Sequence, residues 1–381
     1  MNDWPIITSS CIENMDAVLK SGILSSKNRK YNPDNSFQGK FSHEFCEFLN
    51  VPYGKIVPNG TIALVVALLA AGVSKDDYVL VSENTWIASI GAITLINAIP
   101  VLVSCKKENL LIDCDELLRL RKKFKPKAAI IVHLNGAMQD YSLIFEKLRS
   151  YNVKIIEDCA QSIGSEYNGI KAGTIGDIGV FSFQESKVLT CGEGGFVCTK
   201  DSGIFRKICL YQDLTFAQKI PMAKNELYLF GSNYRVTEQS CALLYGQFKD
   251  VFLAFMKEKD YWARKIIQLL NEQKNIRSIS VDEKQNVLSL FKIPVIFNSK
   301  EDKEKFEKFL NEKSMQYYNG VTPLYLTNIF SEGTKKLKRM KYKTKRFDDY
   351  EVQINQVGIF HYYFNEEKFN LLKEYFCGRF E

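Results

Sequence analysis

The stretch Phe181-Ser182-Phe183-Gln184-Glu185-Ser186-Lys187-Val188-Leu189-Thr190-Cys191-Gly192-Glu193-Gly194-Gly195 decides how this chain is read. A short apolar run delivers one lysine to a loop with three glycines, and Gly195-Phe196-Val197-Cys198-Thr199 returns from it as a second apolar run. Upstream, Val153-Lys154-Ile155-Ile156-Glu157-Asp158-Cys159-Ala160-Gln161 has the form of a buried strand that ends on a carboxylate. Taken singly, Lys187 would be a surface lysine and Asp158 a helix cap, the ordinary fates of these residue types.

The flanking sequence sets these two segments in an α/β series. Ile56-Val57, Tyr78-Val79-Leu80-Val81, Pro100-Val101-Leu102-Val103, Ala128-Ala129-Ile130-Ile131-Val132, Ile155-Ile156 and Val180-Phe181-Ser182-Phe183 are short runs continuous in apolar residues. Strands buried on both faces read this way. Between them lie helical runs, Ile62 to Ala71 and the segment after Trp86 through Ala98. Alternation of this kind predicts a mostly parallel sheet covered by helices on both faces, with its ligand outside the strand ends. From about residue 246 the sequence turns helical and charge-rich, as in Lys257 to Lys274, with strands near Val287 to Ile296 and Val357 to Tyr363. The division expected is a large domain over 1–245, including an N-terminal arm, and a smaller C-terminal α+β domain over 246–381.

A lysine and an aspartate brought together by separate strands are what pyridoxal 5'-phosphate (PLP) requires. The amine forms the Schiff base, and the carboxylate keeps the pyridine nitrogen protonated so that the ring can accept electrons. With the Glu157-Asp158-Cys159-Ala160-Gln161 segment and the glycine loop after Lys187, the chain resembles the DegT/DnrJ/StrS-type sugar aminotransferases, a branch of the fold-type-I PLP enzymes. The resemblance runs from roughly residue 15 to 365 and is strongest between 56 and 240.

That resemblance implies a set of roles. Lys187 is the Schiff-base lysine, Asp158 the partner of the pyridine nitrogen, and Gln161 the group that reaches the ring hydroxyl oxygen. Asn59-Gly60-Thr61-Ile62 opens a helix, and free N–H groups there suit a phosphate. Gly60, Thr61 and Ile62 correspond to the family's Gly-Thr-Ala phosphate segment, and Ser182 to a serine that also bonds the phosphate. Trp86 occupies the position whose ring stacks on the pyridine face. In Gly231-Ser232-Asn233-Tyr234-Arg235, Asn233 matches an asparagine that crosses to the phosphate of a neighbouring subunit, so a homodimer with shared active sites is implied. Tyr234, Arg235 and Tyr325 are the substrate-facing candidates. Three segments depart from the family pattern: Pro323-Leu324-Tyr325 stands where histidine is usual, Tyr342 to Phe347 replaces a Cys-Pro segment, and His133 to Asp140 differs from the usual Gly-Gln-Pro turn. All three bear on substrate choice rather than on the cofactor.

The implied reaction is transfer of an amino group from an amino acid donor, glutamate in the first instance, to a keto-sugar, most simply a nucleotide-linked one. An aminocyclitol transaminase acting on a keto-inositol shares the same cofactor residues. Related PLP dehydratases carry histidine in place of the lysine, so Lys187 argues against that class while leaving room for a lysine-retaining synthase. A PLP-binding sensor without turnover is disfavoured by the intact lysine, aspartate and glutamine.

Composition is consistent with such an enzyme. The 381 residues are 46% hydrophobic and 25% charged, ample for a sizeable core. Met1-Asn2-Asp3-Trp4-Pro5 lacks the basic stretch and apolar run of a secretory signal. The longest apolar run, Ile62 to Val73, is too short for a bilayer, which needs roughly 20 residues. Ten cysteines without a Cys-x-x-Cys pair favour reduced thiols and a cytoplasmic location. Three histidines leave little material for a zinc site, and no metal is expected. Much of the net charge of +7 comes from Lys335 to Arg346. A block of like charge reads first as a solvated face, and second as a basic flank for an anionic substrate. No nucleic-acid recognition motif accompanies it.

Overall fold

The structure is a computed structural model and describes residues 4–28, 30–106, 109–214, 230–274, 276–319, 356–359 and 365–377. Helices α1 (Ser9–Ser21) and α2 (Phe37–Leu49) precede strand β1 (Tyr53–Val57). There follow α3 (Gly60–Ala70), β2 (Tyr78–Ser82), α4 (Ile87–Leu95), β3 (Ile99–Val103), α5 (Cys114–Phe124), β4 (Ala128–Val132), α6 (Ser142–Ser150) and β5 (Lys154–Asp158). A small hairpin of β6 (Glu166–Tyr167) and β7 (Ile170–Lys171) leads to β8 (Ile178–Ser182), β9 (Gly195–Thr199) and α7 (Ser202–Gln212). The main sheet has seven strands in the order β1-β9-β8-β5-β4-β2-β3. Pairs from β8 across to β3 are parallel, and β9 runs antiparallel to both β8 and β1. The expected mostly parallel α/β sheet is therefore present, with its one reversed strand made by the return from the lysine loop.

Continuous burial along β4, β8 and β9 explains why their sequences do not alternate. Helix α3 packs on this sheet with Ala63 to Leu68 buried, so it is apolar around nearly its whole circumference. It starts at Gly60, earlier than the apolar run at Ile62 indicates, because Asn59 caps it: the Asn59 side chain accepts from Ile62 N at 2.9 Å. On the far face, Phe41 and Phe45 of α2 meet Phe181, Phe183 and Phe196 largely edge-on, at centroid distances of 5.1 to 6.2 Å. These rings clamp the root of the lysine loop from below.

Helix α8 (Glu238–Gln247) continues through a π-helical turn at Phe248–Phe252 into α9 (Leu253–Asn271). After β10 (Ile276–Arg277), β11 (Gln285–Val287) and β12 (Ile293–Phe297) come α10 (Lys300–Glu312), β13 (Tyr317–Asn319), β14 (Gln356–Ile359) and α11 (Glu366–Cys377). Strands β10-β12-β14-β13 form an antiparallel sheet, while β11 joins β6 and β7. The strand expected from Val287 to Ile296 is thus split. Its middle segment sends its N–H groups elsewhere: Leu288 to Asp260, Ser289 to Ser165 Oγ, and Phe291 to the Asn135 carbonyl at 2.7 Å. Gly136, at φ +95°, permits the approach, since a Cβ there would lie 2.3 Å from the Ser289 oxygen. The consequence is that Phe291 and Lys292 enter the region at the ends of the main-sheet strands.

Candidate active site

Asp158 ends β5, whose neighbour β8 runs parallel to it and carries the chain toward Lys187. Its carboxylate is buried and accepts from Ser89 Oγ at 2.9 Å and from the Ala160 N–H at 3.2 Å. Burial raises its pKa above the ordinary carboxylate range, opposed by those two donors and by the charges of Lys187 and His133. A carboxylate in this state gains most from a cation placed against it.

Lys187 sits in a loop held at many points. Phe183 N donates to the Gly194 carbonyl, Glu185 N to that of Gly192, and Lys187 N to that of Gln184. Gly192 turns with φ +83°, and Thr190 ties the turn by donating to the Phe183 carbonyl and accepting from Gly192 N. The Lys187 ammonium lies 4.0 Å from the centre of the Phe291 ring. Burial of its head brings its pKa down to about 8, with the charge of Asp158 pulling the other way. An amine so placed is partly unprotonated near neutral pH, as a nucleophile needs.

The start of α3 closes against the same strands. A Cβ on Gly60 would fall 2.9 Å from Ser182 Cβ, and one on Gly195 would fall 2.5 Å from Asn59 C and O. Two glycines therefore let the helix N-terminus, Ser182 and the first residue of β9 crowd together. The first turn of a helix carries N–H groups without helical partners, a natural cradle for a dianion. The Ile62 N–H is already engaged by its Asn59 cap.

The other expected residues fall as follows. Trp86 precedes α4 and is 55% exposed despite its size. Gln161 accepts from the Asn135 N–H at 2.8 Å through its side-chain carbonyl oxygen. Asn233 is exposed and bridges to Asp213 through the backbone. Tyr234 packs against the core, and Arg235 Nη1 pairs with Asp213 Oδ1 at 2.6 Å, where Lys27 also binds Asp213. Tyr325, like the basic segment 335–346, lies outside the described residues.

Ser89, His133, Glu157, Phe291 and Lys292 went unassigned from sequence. Ser89 lies three residues after Trp86, and the fold brings its hydroxyl to Asp158. His133 Nε2 is 2.8 Å from Glu157 Oε2, both fully buried. Burial works against the Glu157 charge, yet His133 and the N–H groups of Gly176 and Gly173 hold its pKa below the usual range. Ligand atoms of His133, Glu157 and Cys159 lie within 4.8 Å of one another. That group is explained as structure: the Glu157 oxygens already take four donors, His133 and the N–H of Gly173, Ile175 and Gly176. Burial also pushes the Cys159 thiol well above its ordinary pKa.

An amine in the loop after one strand, a buried carboxylate at the end of the next and a helix N-terminus beside them suit PLP, and the fold and site define a fold-type-I PLP enzyme. The chain belongs to the DegT/DnrJ/EryC1/StrS aminotransferase family, whose profile matches residues 5–355, and it is a PLP-dependent aminotransferase. GDP-perosamine synthase of Escherichia coli O157:H7 is 31% identical over 332 residues, which cover 86% of each chain. L-glutamine:2-deoxy-scyllo-inosose aminotransferase of Streptomyces kanamyceticus is 33% identical over 258 residues, 64% of this chain and 58% of that protein. The crystal structure of 3-amino-5-hydroxybenzoic acid synthase superposes with a TM-score of 0.84 at 20% identity, covering 99% of this chain and 97% of that one. Escherichia coli GDP-4-keto-6-deoxy-D-mannose-3-dehydratase with bound hydrated PLP does so with a TM-score of 0.82 at 18% identity, covering 99% and 98%. At these identities the solved structures speak for the fold.

Proposed function

We propose that this aminotransferase moves nitrogen from an amino acid, glutamate in the first instance, to a nucleotide-linked keto-sugar. The observation that carries the transaminase chemistry is the pairing of Lys187, its amine depressed by burial, with Asp158 on the neighbouring strand end. PLP, when bound, supplies the electron sink for breaking the donor's Cα–H bond. Lys187 is the residue that would carry it and, once free, the base that would take the proton from the donor's α-carbon and deliver it to the cofactor's C4′ carbon. Asp158 holds a proton at the pyridine nitrogen, and Ser89 keeps that carboxylate in line. Trp86 covers the ring face, and the Gln161 amide meets the ring hydroxyl. Gly60, Thr61, Ser182 and, with its N–H shared with Asn59, Ile62 hold the phosphate.

Asn233 completes that phosphate site in a second copy of the chain. Its exposure on its own protomer supports this, and a homodimer follows. Tyr234 and Arg235 then act by fixing the Asn233 loop, and Tyr325 remains a substrate-side candidate. The break at 245/246 between two domains falls within the run from α8 to α9, which would act as a stiff connector. Nine free cysteines among the described residues support a reducing, cytoplasmic setting.

The nucleotide-linked substrate is favoured by the even coverage of the GDP-perosamine synthase relative, 86% of both chains. A keto-inositol is the second reading, because the scyllo-inosose aminotransferase is as similar over a shorter span. The test is a single turnover. Glutamate should convert the aldehyde absorbance of the loaded enzyme to that of the amine form, and keto-sugars or keto-inositols should be scored by its return. An enzyme whose absorbance does not respond to any amino acid would overturn the reading.

A further inference from the structure

Residues 4–7, ahead of α1, reach the loop that carries Lys187. The Trp4 indole N–H donates to the Glu185 carbonyl at 2.8 Å, and its ring stacks on Phe255 of α9 at 4.9 Å with 14° between the planes. Two residues on, the Ile6 carbonyl accepts from Gln247 Nε2 at 3.0 Å. Gln247 is the last residue of α8 and is buried, and its Oε1 accepts from the Thr190 N–H, also at 3.0 Å. One segment thus meets the loop at Glu185 directly and at Thr190 through a single buried amide. Lys187 lies between those two points.

The neighbouring sequence explains how the segment is held. A Cβ on Gly246 would fall 2.8 Å from Cys11 Sγ and 2.9 Å from Cys11 Cα and N, so a glycine beside Gln247 lets the first turn of α1 settle directly on α8. Ile6, five residues before Cys11, then falls within reach of the Gln247 amide. Residues ahead of a first helix are loosely held unless tied down. Here the ties converge on one short loop. That loop has three glycines after Lys187, and glycine backbone is costly to order. Its own bonds, from Glu185 N to the Gly192 carbonyl and from Thr190 Oγ1 to that of Phe183, join the loop to itself. Gln247 and Trp4 fasten it to α8 and α9.

We propose that Trp4 and Gln247 are positioning residues for Lys187: residues 4–7 form a strap that fixes both ends of the segment carrying its amine. The proposal rests on the reading of Lys187 as the lysine that bears PLP. In that reading the amine serves first as a nucleophile and then as a base, and each use needs its nitrogen held to within about half an ångström. Both positioning residues act through the loop backbone, two residues before Lys187 and three after it.

Two substitutions loosen the strap and a third serves as control. Trp4→Phe keeps a ring on Phe255 and removes the indole donor, while Gln247→Met removes both amide bonds. Val18→Ala opens the buried face of α1 at the end away from the strap. In the PLP-free enzyme, isotope-coded methylation read at Lys187 should show the titration midpoint of its amine rising by roughly half a pH unit in both strap variants, as water reaches a freer amine. In the loaded enzyme, the saturating rate of the glutamate half-reaction should fall on the order of fivefold, the worth of one hydrogen bond, with the half-saturating concentration little changed. Val18→Ala should lower the urea midpoint and leave both readings at wild-type values. An unmoved methylation midpoint or an unmoved rate in Trp4→Phe, or equal changes in Val18→Ala, would overturn the strap. Should Gln247→Met fail to fold, Trp4→Phe decides alone. Borohydride reduction with peptide mapping keeps the two readings apart. An adduct at Lys187 with unmoved variants removes the strap only, whereas an adduct on another lysine removes the assignment of Lys187 and the role of the strap with it.

Discussion

Ser89 Oγ, in the first turn of α4, donates a 2.9 Å hydrogen bond to Asp158 Oδ2 at the end of β5. Thr85 Oγ1 lies 2.9 Å from the same hydroxyl, so the serine is itself positioned. The strand-to-helix turn that presents Trp86 also presents these hydroxyls, and together with the Ala160 N–H they orient the carboxylate. On the function proposed above, one turn would serve the ring face and the ring nitrogen together.

Removing that bond gives the first prediction. Ser89→Ala should retain PLP binding yet slow the glutamate half-reaction by about tenfold, the worth of one hydrogen bond to a charged group. Asp158→Asn should slow it far more, because the electron sink itself is weakened. Stopped-flow absorbance of the two variants gives the comparison. Equal rates for Ser89→Ala and the wild type would make the serine mere packing.

Much of this site could be read from the chain because it is carried by segments whose local pattern is strong. Asp158 and Lys187 each follow a run of buried strand residues, and Gly60 opens a helix beside them. What could not be read depends on which segments meet across space. Ser89 reaches Asp158 only through the order of strands β5, β4 and β2. Phe291 meets the Lys187 ammonium because Leu288, Ser289 and Phe291 give their N–H groups to Asp260, Ser165 and Asn135 instead of a ladder. Arg235 resembles a substrate contact in sequence, but within its own chain its guanidinium is taken by Asp213.

The second prediction concerns pH. The pKa of Lys187 is lowered to about 8 from the usual value of a lysine, with burial as the main cause. The amine fraction in the PLP-free enzyme should therefore rise through pH 8. Asp158 favours the ammonium, so Asp158→Asn should move the midpoint lower still. Isotope-coded reductive methylation at a series of pH values, followed by peptide mapping of Lys187, reads both midpoints. A midpoint near that of free lysine, or an upward move in Asp158→Asn, would contradict the burial argument.

A third prediction tests the pair beneath the site. Glu157 accepts from His133 and from three backbone N–H groups. Glu157→Gln turns an NH2 toward donors and should destabilise the fold by roughly 3 kcal/mol. Because the folded-state pKa is lowered, the stability owed to this carboxylate is present above its unfolded value of about 4.3 and fades as pH falls. Urea midpoints at pH 7 and pH 4 should show the gap between wild type and variant narrowing at the lower pH. A gap that widens would reverse the sign and sink the account.

The last prediction concerns the second copy of the chain. Asn233 is exposed on its own protomer, and its loop is braced by Arg235, Asp213 and Lys27. Such bracing has a purpose if the asparagine must hold its position for a neighbour's phosphate site, whereas a loop serving only its own chain could satisfy Asn233 locally. The two cases separate in hybrids of Lys187→Ala with Asn233→Phe, a replacement bulky enough to block PLP. Each parent dimer should be inactive, the first for want of an amine and the second for want of bound cofactor. In a hybrid of the shared type, one of the two sites combines an intact lysine with an intact asparagine from the other chain. Mixing should then restore up to a quarter of wild-type activity, since half of the dimers in an equal mixture are hybrids and each has one working site. If Asn233 acts within its own chain, both defects stay with their chains and no site becomes whole. Silence of the mixture, with hybrids demonstrated by mass spectrometry of the intact dimers, would place Asn233 outside the neighbouring site.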